Sequence, residues 1–428
     1  MYAPRSGQTP RLVATTGRNG LNQIFDGVSV NDAGIVAFAG KTSVGEVLYA
    51  GTSVTDTRKI NPIFEGPGKT YDGYVDINND LKVAARTRYI GGFPPATFLE
   101  LWNARPGFED AGEIVGRGGA GQTLLTVNQR VSVNSQGEVA YTYLEQGADS
   151  GALFGGVAKY QPARGESDPL KLDQSTAVLW PSLSESGHVA IRDGLSGSSP
   201  IVLIDPDFGG RTSIAGNAFA EKGWRPGVSD LGEVVAFYGN LSDTSVVTGA
   251  YRETGPGIFI SLDRAQYNHT PQPARDLYRI AGIPCNAVAG EYSDTAYIRG
   301  FVPDKPVVVN HALNGNRRQF SVAYVARGAF DAEAVFITRV TLPDDVASAN
   351  PITPAISTER VIGVGDPITS VAGMTLTGMI VTLTIGSKMS PRDELAIWAQ
   401  TDTGAQVVLR TGPQLRRPVL VVPGIAGT

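Results

Sequence analysis

The hydrophobic and polar positions of this chain repeat one local figure. Residues 28–40, "VSVNDAGIVAFAG", run as an apolar stretch, a short polar turn and a second apolar stretch. Close variants return as "VDINNDLKVAARTR" from Val75, "VSVNSQGEVAYTY" from Val131, "PSLSESGHVAIRD" from Pro181 and "PGVSDLGEVVAFYG" from Pro226. Each predicts a β-hairpin. The turn offers Asn, Asp or Ser side chains that bond their own backbone, and then a Gly able to take positive φ. The strand after the turn is apolar at consecutive positions, as expected where both faces of a sheet are covered.

The recurring alanine of the second strand sets the period. Ala37, Ala84, Ala140, Ala190 and Ala236 stand 47, 56, 50 and 46 residues apart. Two weaker copies, "RRQFSVAYVARG" around Ala323 and "PRDELAIWAQTD" around Ala396, follow at gaps of 87 and 73 and complete seven. Downstream of each hairpin lies a third apolar stretch, such as "EVLYAGT", "TFLELWNA" or "AEAVFITRV". A fourth usually ends in Gly, as in "GEIVGRGG", "LYRIAGIP" and "RVIGVGDP". Four short strands in about 45–50 residues is the period of a β-propeller blade. The fold class expected is therefore all-β, a propeller of seven four-stranded blades.

The pattern Pro-x-x-Ser-x-x-Gly-x-Val-Ala resembles the repeat of TolB-like β-propellers. It is also similar to tandem-repeat bacterial propellers with an N-D-A-G-x-V-A-F signature. The resemblance covers about residues 11–412 and implies an architecture, because this fold hosts binders, scaffolds and enzymes alike. It also implies a closure. "AQVVLRTG" (405–412) would be the third strand of the last blade, with no fourth after it, while "RLVATTG" (11–17) is a fourth strand without a blade. The two should pair and remove an open edge.

Composition and charge narrow the functional classes. Hydrophobic residues make up 42% of the 428 and charged residues 18%, so there is ample material for a core. A net charge of −5 without a Lys/Arg block removes the electrostatic basis for nucleic-acid binding. The single cysteine, Cys285, rules out an intrachain disulfide and a Cys-based zinc site and is read as structural. His188, His269 and His311 form no metal-ligand spacing, and no cofactor or metal is expected. There is no G-x-S-x-G; "GLSGS" (194–198) has the wrong spacing and reads as a flexible turn. Asp32, Asp80 and Asp230 sit in repeat turns, where capping accounts for them better than calcium ligation or glycosidase chemistry. No apolar run is long enough to span a bilayer. A secreted or envelope location, its leader absent, is expected, with the cytoplasm as the alternative.

Two features remain for recognition. Long insertions at about 144–170, 262–276, 283–306 and 340–358 contain Tyr160, Tyr267, Tyr292 and Tyr297. Aromatic residues on loops held by a rigid ring suit binding a protein, glycan or lipid surface, or they pack the insertions onto the ring. The second feature is "RRPVLVVPGIAGT" (416–428), which does not fit the repeat. It resembles the first strand and oxyanion loop of lipase-like α/β-hydrolases, which implies Pro423, Gly424 and Ile425 for that loop. The expected organisation is a propeller over 1–412, a linker at 413–417 and the start of a hydrolase-like domain, or a tail, at 418–428. No catalytic residue is assigned. The expected function is a non-catalytic binding or scaffold propeller, the N-terminal part of a larger lipase- or esterase-like protein. A free-standing envelope binding propeller and a propeller enzyme with a polar central site are the alternatives.

Overall fold

The computed structural model describes residues 10–411 apart from segments 62–68, 90–95, 108–111, 119–123, 147–152, 167–168, 175–178, 250–251, 264–274, 283–297, 299, 311–317, 329–331, 344–353 and 369–377. Seven antiparallel sheets follow one another along the chain, at 23–59, 69–118, 124–174, 179–215, 219–281, 300–363 and 380–410. Each is a blade of the expected propeller. The seven repeat alanines all lie on the second strand of their blade and are buried.

The hydrophobic core is divided into seven clusters, and each sits between neighbouring blades. Ala37, Ala39 and Leu48 of blade 1 pack on Ile77 and Val83 of blade 2. Ala396 and Val408 of blade 7 pack on Val28, Val36 and Phe38 of blade 1. A blade thus buries both faces, which is why Val36–Gly40 is apolar without alternation.

The ring closes as the sequence predicts. Arg11–Thr15 lies antiparallel to Gln406–Arg410, with Leu12 opposite Leu409 and Thr15 opposite Val407, as the fourth strand of blade 7. Leu12, Val13 and Ala14 are buried there. Across the same seam Arg410 Nη1 donates to Gly34 O of blade 1 at 2.7 Å.

The hairpin turns do more than reverse the chain. Asn31 Oδ1 accepts from the backbone N–H of Ala33 and Ile35, fixing its own turn, while its Nδ2 donates to Asn78 O of the next blade at 3.2 Å. Asn78 reaches Asn134 O, Asn134 reaches Ser184 O and Asn310 reaches Ser390 O in the same way. The turn's last residue is left-handed, with φ +76° at Gly34, and Leu81 and Asp393 adopt the same conformation at +63° and +62°. A bulky side chain such as Leu81 is strained there, whereas an aspartate tolerates the conformation. Asp393 is held by Asn310 Nδ2 and Arg339 Nε at 2.8 Å each. Asp32 links its turn to the adjacent one: its backbone N–H donates to Asn79 Oδ1 and its carboxylate accepts from Asn79 Nδ2.

Candidate functional site

The first strand of every blade lines the central channel, and every one is irregular halfway along. Register shifts fall between Ile24 and Val28, Tyr71 and Val75, Val127 and Val131, Leu179 and Ser182, and Ile385 and Met389. In blades 5 and 6 the first strand breaks into two pieces, Phe219–Lys222 with Gly227–Val228, and Gly300–Phe301 with Val308–Val309. Bulges of this kind turn side chains out of the ladder and aim them elsewhere. Here they ring one mouth of the channel.

Counted back from the Asn or Ser that opens each turn, two columns of the repeat face the axis. The column two residues before it contains Ser29, Asp76, Ser132, Ser182, Gly227, Val308 and Lys388. These form a plug. Asp76, 0% exposed, accepts from Ser29 Oγ at 2.5 Å, Ser387 Oγ at 3.1 Å and the Val133 N–H at 2.8 Å. Lys388 reaches past blade 1 to Asp76 at 3.0 Å and to the carbonyls of Ile77 and Val133. The buried carboxylate is thereby paired and hydrogen-bonded, the condition for tolerating a charge there.

The column four residues before the turn contains Gly27, Tyr74, Arg130, Trp180, Arg225, Pro306 and Gly386. All of them except Gly386, with Asp26, line a depression of about 610 Å³ counted out to its open mouth. Arg130 stacks on the Tyr74 ring and lies 4.3 Å from the centroid of Trp180. Arg225 lies 4.3 Å from Trp180 as well. Trp224 meets Trp180 edge to face at 5.9 Å and carries Arg192 over its other side at 3.5 Å. Trp180 is left-handed, φ +55°, a costly conformation for a bulky residue and one that concentrates at functional sites. Gly27 is required because a Cβ would run into the Gly73 carbonyl and Tyr74 of the next bulge.

The two kinds of arginine at this mouth differ. Arg192 donates to the carbonyls of Gly194, Leu195 and Lys222, so its charge is spent on structure. Arg130 Nη1, Arg225 Nε and the Trp180 indole Nε1 are buried donors without a hydrogen-bond partner among the described residues. Burial, and then the Arg225 charge, push the Arg130 guanidinium down to about 8. Burial pushes Arg225 to about 10, against the pull of Asp26 and Asp304. Guanidinium groups keep their proton in proteins, so the arrangement amounts to two crowded cations with unused donors.

The opposite mouth, lined by Asn31, Asp32, Asn79, Glu185, Asp230 and Lys388 among others, is made of the turns themselves. Its polar groups are engaged with one another: Glu185 accepts from the Ser135 N–H at 2.7 Å and Asp230 O from the Ser186 N–H at 2.7 Å. Close by, Ser186 Oγ and His188 Nδ1 are 2.8 Å apart. The pair belongs to the blade 4 turn, where Ser184 Oγ bonds the His188 N–H and lies 3.0 Å from Ser186 Oγ. A nucleophilic serine needs an acid that orients the histidine, and no carboxylate is hydrogen-bonded to His188 among the described residues. Neither does any group of three or more His, Cys, Asp or Glu side chains able to hold a metal ion occur among them.

Of the residues singled out in the sequence, Tyr160 ends the third strand of blade 3, is 3% exposed and donates to Glu113 Oε1 at 2.6 Å. It packs blade 2 against blade 3. Tyr267, Tyr292 and Tyr297 lie outside the described residues, as do Cys285, His269, His311 and the Pro423, Gly424 and Ile425 loop. Sequence reasoning passed over the mouth residues. The signal that could have found them is the column four before the turn, large and varied where its neighbours repeat.

The fold and site define a seven-bladed β-propeller with a donor-rich mouth on its axis. No family model and no curated protein matches the chain. Among solved structures it is similar to a TolB protein of Agrobacterium tumefaciens, at 13% identity over 56% of this chain and 76% of that one, TM-score 0.36. It is also similar to prolyl oligopeptidase B of Galerina marginata, at 8% identity over 89% and 48%, TM-score 0.45. A third is the acylaminoacyl peptidase of Pyrococcus horikoshii, at 7% identity over 91% and 51%, TM-score 0.46. The chain spans about half the length of the two peptidases. These likenesses are of fold alone.

Proposed function

We propose that this chain is a binding and scaffold propeller whose ligand-facing site is the bulge-side mouth, and that it performs no chemistry itself. The observation that carries this is the contrast at the channel. Bulged first strands bring two arginines, two tryptophans and a tyrosine together at one mouth, whereas no nucleophile, base and acid stand in mutual reach among the described residues. Aromatic and Arg side chains in a concave, apolar-walled site are recognition chemistry. Residues 418–428 are read as the start of a lipase-like fold, with Pro423, Gly424 and Ile425 in its oxyanion loop. In support, blade 7 already has four strands, so the apolar "PVLVV" has no vacant place in the ring. The propeller would then position a hydrolase at a surface in the bacterial envelope or outside the cell.

Two measurements test this. The purified chain should leave short-chain nitrophenyl esters unhydrolysed above background. Turnover that a point change within 1–412 abolishes would overturn the binding reading. The parent reading frame should continue past Thr428 into a G-x-S-x-G, an acid and a histidine. A stop soon after it would remove the hydrolase and favour the free-standing propeller.

A further inference from the structure

Resting on the binding reading above, we infer that the bulge-side mouth is a carboxylate site: it takes an organic ligand through a carboxylate group held by Arg130, Arg225 and the Trp180 indole. The donors come first. Arg130 Nη1, Arg225 Nε and Trp180 Nε1 are buried and unused, and a buried donor left unsatisfied costs about 1–3 kcal/mol. Three such groups at one place are an expensive arrangement for a protein to keep without an acceptor. Guanidinium and indole N–H groups only donate, so what they recognise must be rich in lone pairs.

Charge then selects among acceptors. Asp26 is the one acidic residue lining the depression, and it is exposed, while Arg130 and Arg225 share the Trp180 ring. A second anion would relieve the repulsion between the two guanidiniums. A cationic ligand is disfavoured, because guanidiniums already lie over the aromatic faces that would bind it. The walls decide between anions. Val28, Val75, Val131, Pro181, Pro226 and Val307 give the site an apolar lining suited to the body of an organic molecule. The planar forks suit a carboxylate, which an arginine can meet with two parallel hydrogen bonds. Inorganic phosphate would leave that lining uncovered. Ser132, Ser182, Val308 and Ser387 line both mouths and so separate them, which leaves the bulge-side opening as the way in for the ligand.

The probe is benzoate, with benzamide as its neutral isostere and inorganic phosphate as the competing anion. Titration calorimetry on the full chain should show saturable benzoate binding and none by benzamide. Tryptophan fluorescence should change with the same midpoint, since Trp180 sits at the site. Arg130→Gln and Arg225→Gln should each weaken benzoate about tenfold or more, as expected for a lost charge-assisted bond. Each variant is melted in parallel, and Trp180→Phe, which removes the indole donor while keeping an aromatic ring, supplies a third test. Equal binding of benzamide, binding of phosphate alone, no benzoate binding, or unchanged affinity in all three variants would each overturn the carboxylate assignment. Absent benzoate binding with the chain still inert toward esters would remove this inference and leave the binding propeller. Ester turnover would remove the propeller's binding role itself.

Discussion

The two ends of the innermost strands obey different rules. At the turn end the blades are near copies: an Asn or Ser bonds its own turn, and in four junctions an Asn also bonds the next blade's carbonyl. At the bulge end, four residues earlier, the column runs Gly, Tyr, Arg, Trp, Arg, Pro, Gly, and donors are left unused. One end is built to be satisfied and the other to stay incomplete. Stability should accordingly reside at the turn end and recognition at the bulge end.

Both ends depend on ring closure, so breaking it should give the largest effect. Deleting residues 1–17 removes the strand Arg11–Thr15, its ladder to Gln406–Arg410 and the buried Leu12 and Val13. Backbone bonds at ~1 kcal/mol net and two apolar side chains at ~1.5–3 kcal/mol each together rival a typical domain stability of roughly 5–15 kcal/mol. The truncated chain should melt far below the parent or fail to fold. An unchanged melting temperature would show that closure contributes little.

Next comes the plug. Asp76→Ala removes the carboxylate that pairs with Lys388 and should cost about 3–5 kcal/mol in urea unfolding, the usual penalty for orphaning one member of a buried ion pair. Asp76→Asn with Lys388→Met should recover much of it. If the single change is harmless, the turn-side layer is not where stability resides.

Alkaline pH probes the packing between blades, away from both mouths. Burial, and then Glu221, raise the Tyr238 hydroxyl to about 12, and burial first of all raises Tyr71, Tyr141 and Tyr160 as well. The folded protein therefore holds these protons to higher pH than the unfolded chain. Their contribution is complete below about pH 10, the ordinary tyrosine value, and is lost as pH rises toward 12 and beyond. Tyr238 alone should lower stability by about 2 kcal/mol across that window, read as a falling urea midpoint. A flat profile from pH 10 to 12 would contradict the burial.

The turn belt offers a finer cut. Asn134→Ala loses the bonds to Gln136 N, Glu138 N, Glu138 Oε2 and Ser184 O, at about 2 kcal/mol. Asn134→Ser, which copies the turns at Ser184, Ser229 and Ser390, should keep the turn and lose only the bridge, at about 1 kcal/mol. Equal costs would mean that the bridge between blades adds nothing.

The smallest effect should come from the bulge end. Arg130→Gln removes a crowded cation that contributes ring contacts but no hydrogen bond, so stability should fall by less than about 1 kcal/mol, or rise. A large loss of stability at this position would erase the distinction between the two ends.

The blade count, the hairpins, the closing strand and the consecutive apolar runs were all legible in the residues, because each depends on local chemistry repeated along the chain. Asn31 and its counterparts announce turns through bonds to their own backbone. Val36–Gly40 announces a strand covered on both faces. Residues 11–17 and 405–412, far apart in sequence, were paired by counting strands, and the structure supplies the register that sets Leu12 opposite Leu409. The mouth was not legible in the same way. Tyr74, Arg130, Trp180 and Arg225 lie about fifty residues apart, and although each stands four residues before its turn, they share no common residue type that would mark the column. Their meeting depends on five bulges and two strand breaks occurring at one level of a closed ring, a property of backbone register that no single segment encodes. Tyr160 shows the converse: in the sequence it is an aromatic residue within an insertion, yet its strand carries it between two blades, where Glu113 from blade 2 accepts its hydrogen bond. Local periodicity reports what each segment does with its own backbone. Which side chains are left without a partner depends on what the rest of the ring brings to them.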